Sequence, residues 1–119
     1  MGAQPAATAG GTTAGGGDSS LCADDFGGVQ PHVAQIGCDL QNEFGLRITG
    51  VGFSDYHWDG LDLDIWTSDV TLGNQVRDYT LAKYPVEYTC WQDRYVNVLT
   101  GWEEGCPGHM DHVHITFLP

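Results

Sequence analysis

Basic residues are nearly missing from this 119-residue chain. Arg47, Arg77, Lys83 and Arg94 stand alone against 16 acidic side chains, giving a formal charge of −12. Such a surface lacks the electrostatic footprint that binds nucleic acid, and anionic membranes repel it. No run approaches the ~18 apolar residues of a membrane-spanning helix. No segment has the charged-then-apolar profile of a secretory leader, so an exported form is expected to have lost one. There is no Cys-x-x-Cys knuckle either, which argues against a cysteine zinc site.

What is present begins with a stretch, residues 1–20, dominated by Gly, Ala, Thr and Ser. Without apolar periodicity it reads as a flexible tether or a non-native remnant. Residues 21–119 then form one domain with a modest core. Four cysteines, Cys22, Cys38, Cys90 and Cys106, fall into two pairs of equal separation. An even count in a small Gly-rich domain favours disulfides and an oxidising compartment. Three connectivities are open, and the equal spacing favours Cys22–Cys38 with Cys90–Cys106.

Hydrophobic period and breakers predict a helix over Pro31 to Phe44, with Val33, Ile36, Leu40 and Phe44 on one stripe and Gly45 ending it. Leu46 to Thr49 is a short β-rich piece. A second helix is expected from about Thr71 to Tyr84, with Leu72, Val76, Tyr79 and Ala82 or Lys83 inward, stopped by Pro85. Val86 to Trp91 and Arg94 to Leu99 read as strands around a tight turn at Gln92 and Asp93. A loop through Gly101, Gly105, Pro107 and Gly108 leads to a last strand. The pattern is α+β: a small, mostly antiparallel sheet with two helices packed on it. Of the four tryptophans, Trp58, Trp66, Trp91 and Trp102, most are expected in the core.

Chemistry concentrates in two places. At the end, His109, His112 and His114 put three of the five histidines within six residues. On a strand, His112 and His114 share a face, as a metal site requires, or as two satisfied histidines on a polar sheet face would. Upstream, Ser54 to Asp64 is crowded with oxygen and nitrogen donors. Asp55, His57, Asp59 and Gly60 occupy positions 1, 3, 5 and 6 of an EF-hand-like calcium loop. A histidine at position 3, Asp62 at position 8 and Trp66 in place of the bidentate Glu at position 12 argue against that loop. A second possibility joins His57, Asp64 and His114 as three zinc ligands with the fourth position open to water. Locally capping acids in an Asp-Gly-rich turn are a third.

The order Ser54-x-x-His57-x-x-Gly60-x-x-x-Asp64, then far downstream His112-x-His114, resembles the signature of the LAS zinc peptidases. These belong to the DD-peptidase/hedgehog superfamily. Gly28-Val29-Gln30-Pro31-His32-Val33, Tyr88-Thr89-Cys90-Trp91-Gln92-Asp93-Arg94 and His109 to His114 are similar to further motifs of a secreted actinobacterial branch. The likeness spans about residues 26–118. It implies His57, Asp64 and His114 as zinc ligands. Murein endopeptidases of the group carry His-x-x-His-x-His, matched by His109, His112 and His114, which implies His112 beside the metal as the catalytic group. The carboxypeptidase branch places a Glu three residues before the last ligand. That position is Asp111, which a regular strand turns away from His114 and so leaves as a supporting or reserve base.

Two departures stand out: Asp62 where the family usually has a small residue, and Leu61 where a basic one often follows the motif's Gly. Asp62 is either an additional ligand or a solvent-facing group. Ser54, Asp55 and His109 are candidates for holding substrate. The implied function is a secreted or cell-wall-associated zinc peptidase, monomeric, that hydrolyses peptide bonds in bacterial peptidoglycan. The superfamily also contains members that keep zinc without demonstrable peptidase activity. The alternative is therefore a non-catalytic zinc module that binds wall peptides or a protein partner.

Overall fold

A computed structural model describes residues 22, 24–50 and 59–119. The expected tether and the stretch holding Ser54, Asp55, His57 and Trp58 lie outside the described residues. The first helix, α1, spans Pro31–Phe44 as its periodicity predicts. Pro31 sits in its first turn, where the missing N–H costs nothing. Gly45 ends it at φ 66°, returning its N–H to the Gln41 carbonyl. That left-handed conformation favours glycine. Val33, Ile36, Cys38 and Leu40 are buried beneath it.

Strand β1, Arg47–Gly50, precedes β2, Asp62–Trp66. Helix α2 then spans Val70–Lys83 and starts one residue earlier than its periodicity suggests. The Asp69 carboxylate caps it by accepting from the Leu72 N–H at 2.9 Å. Its inner face also differs from expectation. Gly73, Val76 and Thr80 are buried, whereas Ala82 and Lys83 are exposed. The reason is the indole of Trp91, which lies against Gly73 so closely that a Cβ there would stand 2.1 Å from its ring.

Strands β3 (Val86–Trp91) and β4 (Asp93–Asn97) form the expected hairpin. Gln92 and Asp93 at its tip both have positive φ, as a two-residue turn matched to strand twist requires. The presumed loop after it contains a further strand, β5 (Glu103–Cys106), paired along β4. Its Glu-Glu-Gly-Cys sequence carries no strand signal, so only the ladder reveals it. The last strand, β6, is His112–Phe117.

The six strands run in the order β1-β2-β6-β3-β4-β5, each neighbouring pair antiparallel. The helices cover one face, over Leu63, Ile65, Val113, Ile115 and Phe117, all of them buried. Alternation turns Asp62, Asp64, Trp66, His112, His114 and Thr116 to the other face. Both disulfides have the expected connectivity, Cys22–Cys38 and Cys90–Cys106. Loops of this length stabilise by about 3 kcal/mol each on the chain-entropy estimate. Among the described residues no helix is long and apolar enough to cross a membrane. The two disulfides are consistent with an extracellular protein. Of the three described tryptophans, Trp91 is buried, Trp66 is half-buried and Trp102 is 62% exposed.

Candidate metal centre

The C-terminal strand carries the histidines, and β6 is inserted between β2 and β3 rather than left at an edge. That position makes Asp64 the register partner of His114. The Asp64 Oδ1 and His114 Nδ1 atoms are 2.8 Å apart, although the residues are 50 positions apart in sequence. His57, the third member of the expected set, lies outside the described residues.

Asp62 is fully buried on the far side of the same imidazole, so the solvent-facing alternative does not hold. Its Oδ1 is 3.3 Å from His114 Nε2 and accepts a short hydrogen bond from the Thr116 hydroxyl. Thr116 Oγ1 lies 3.1 Å from the same nitrogen. A chain therefore runs from the Nε2–H to the Thr116 hydroxyl and on to Asp62. His114 is 5% exposed and has a carboxylate at each nitrogen. Burial opposes its charge, yet hydrogen bonds to Asp62 and Asp64 outweigh burial and push its pKa up to about 9.

His112 lies beside this pair on the same face, its Nε2 3.9 Å from Asp64 Oδ1. Its Nδ1 donates to Asp111 Oδ1 at 2.7 Å. Asp111 therefore reaches its sequence neighbour and does not turn away as a regular strand would require. It precedes β6, where its carbonyl accepts from the Thr67 N–H. The hydrogen bond from His112 holds the Asp111 carboxyl below its ordinary pKa. Trp66 packs on the His112 ring at 4.6 Å and Arg47 covers the indole at 4.8 Å. His109 completes the group, its ring 4.8 Å from that of His112 and 5.9 Å from that of His114.

The pattern therefore brings together Asp64, His109, Asp111, His112 and His114. Two residues of the neighbourhood had no sequence-based role. Thr116 shares the face of His114 by strand alternation alone and was legible in principle. Tyr88, whose ring stacks on His114 at 5.8 Å, arrives through β3–β6 pairing that no local signal encodes.

Fit to a divalent ion rests on the donor chemistry. An imidazole nitrogen and a carboxylate oxygen converge, and the second imidazole nitrogen is tied to Thr116 and Asp62. That is how histidine ligands are oriented. Among the described residues, the only group of three metal-type donors within 4.8 Å of one another is Cys90, Cys106 and His109, and its sulfurs share a disulfide. No family model, no curated protein and no solved structure matches the chain.

Proposed function

We propose that the domain is a zinc peptidase of the LAS type acting on peptidoglycan peptides, with His57, Asp64 and His114 holding the metal. The observation that carries this reading is the cross-strand pairing of Asp64 with His114, which joins the halves of two sequence motifs at 2.8 Å on the sheet face away from the helices. Zinc, when bound, lowers the pKa of a water toward ~7 and polarises a scissile carbonyl. The chain's own groups supply the rest. Asp62 and Thr116 hold the His114 Nε2–H, which leaves Nδ1 to face Asp64 and the ion. Asp111 accepts the His112 Nδ1–H, which leaves His112 Nε2 to take a proton from the attacking water or to donate to the developing oxyanion. Export to an oxidising compartment fits the two disulfides. The second reading, a zinc module that binds without cutting, draws on buried Asp62, a second carboxylate next to His114.

Three variants assayed together for zinc content and muropeptide cleavage test the proposal. His114→Ala should lose zinc and stability together, since binding is coupled to folding. His112→Ala should keep zinc and cleave ~10²–10³-fold more slowly, with Asp111→Ala milder than either. Full zinc occupancy in His114→Ala would refute the ligand assignment. A wild type that holds zinc yet cuts nothing across a broad muropeptide panel would select the binding module.

A further inference from the structure

Cys90 of the Cys90–Cys106 disulfide lies on the same sheet face, because it is the other register partner of His114. His109 stands against it, its Nδ1 3.4 Å from Cys106 Sγ. One donor atom from each of Cys90, Cys106 and His109 falls within 4.8 Å of the others. A sulfur at ~2.3 Å and a nitrogen at ~2.0–2.1 Å on one tetrahedral ion stand about 3.6 Å apart. The His109–Cys106 pair already has ligand spacing. Only the covalent bond between the sulfurs withholds a three-ligand site.

We infer that reduction of Cys90–Cys106 creates a second, thiolate–imidazole site for zinc or a similar divalent ion, with Cys90, Cys106 and His109 as its ligands. A thiol reductant delivers two electrons and two protons to the disulfide and itself becomes a disulfide. The ion then displaces one proton from each cysteine thiol. In the oxidised protein the His109 Nδ1–H faces the carbonyls of Cys106 and Pro107 as well as the sulfur, so binding the ion moves that proton, through solvent, to Nε2 and turns the Nδ1 lone pair to the metal.

Two sulfurs on one tetrahedral ion stand about 3.8 Å apart, which cysteine rotamers can reach from a Cα–Cα separation of 5.9 Å. Backbone pairing holds the three residues without the covalent link. Asp93 pairs with Cys106, Trp91 with Arg94, and the Gln92 N–H donates to the His109 carbonyl at 2.8 Å. Cys22–Cys38 has the same sequence separation, but the hydrogen-bond partners of its sulfurs are the Gln41 amide oxygen and the Cys22 carbonyl. The inference uses neither Asp64 nor His114, so it stands apart from the peptidase reading.

Cobalt(II) titration of the whole chain tests it, before and after reduction by a water-soluble phosphine, which adds no competing thiolate. The oxidised protein should give no thiolate-to-cobalt charge-transfer absorption. The reduced protein should gain that band and one additional ion. Cys106→Ser should weaken the band, His109→Ala should shift the cobalt d–d maximum, and His114→Ala should leave the band intact. A band of full intensity in a variant with both Cys90→Ser and Cys106→Ser comes from Cys22 and Cys38 and overturns the assignment. So does a spectrum unchanged in His109→Ala, a reduced protein that takes up no additional cobalt, or circular dichroism showing the sheet lost on reduction with cobalt present.

Discussion

Asp62→Asn separates the two roles open to the buried carboxylate beside His114. The substitution removes a charge but keeps an oxygen where Thr116 donates and where His114 Nε2 points at 3.3 Å. If Asp62 orients the imidazole, zinc affinity should fall by ~10–100-fold, the usual effect of losing such a partner, or ~1.4–2.7 kcal/mol. Stoichiometry should remain one ion at this centre. Asp62→Ala should go further, because it removes the acceptor at the end of the Thr116 chain inside a fully buried site. Breaking a buried charged contact of this kind destabilises by ~3–5 kcal/mol. Competition with a chromophoric chelator at pH 7 measures the affinity, and urea unfolding of the metal-free proteins measures the stability. The reasoning is refuted if Asp62→Asn holds zinc as tightly as wild type and cleaves peptide faster. That outcome would mean that Asp62 competes for the coordination position that substrate needs.

Two further perturbations have a definite sign. In the metal-free protein the pKa of His114 is raised from 6.5 to about 9, so its contribution is present below pH 6.5 and is lost as pH rises through 9. At 1.36 kcal/mol per unit this amounts to about 3 kcal/mol, visible as falling urea midpoints between pH 6 and 9.5. Zinc-loaded protein should not show that fall, because the ion needs the deprotonated ring; a flat metal-free profile would contradict the assignment. Gly73→Ala should lower the melting temperature despite the ~1 kcal/mol that Ala ordinarily gains in a helix. The new Cβ, 2.1 Å from the Trp91 ring, must displace an indole that donates to Asn74, an overpacking cost of ~1–3 kcal/mol. A higher melting temperature with unchanged tryptophan fluorescence would count against the packing described.

Local chemistry made the helices and most strands legible. Pro31, Gly45 and Pro85 are punctuation that acts on their own residues' backbone, so α1 and the end of α2 followed directly. The inner face of α2 did not, because Gly73 is buried for the sake of a ring on another element. β5 was missed for the converse reason. Glu103 to Cys106 has no β-rich pattern and becomes a strand only because β4 offers it a ladder. The two disulfides were legible because equal separations pointed to local pairing, and each connects Cα atoms under 6 Å apart, at 5.6 and 5.9 Å.

The centre itself divides along the same line. Strand alternation places His112, His114 and Thr116 on one face, and Asp62, Asp64 and Trp66 on one face, without saying that the faces are neighbours. Adjacency depends on β6 entering the middle of the sheet, a long-range choice made by Val113, Ile115 and Phe117 burying against the helices. Once β6 is there, register decides everything, since a slip of one residue would turn both histidines into the core. The same apolar residues therefore set the positions of the polar ones. It follows that Ile115→Ala should disturb the Asp64–His114 pairing although Ile115 touches neither polar group's face, and its effect on metal affinity should track its effect on stability. His112→Ala, which leaves the core untouched, should uncouple the two.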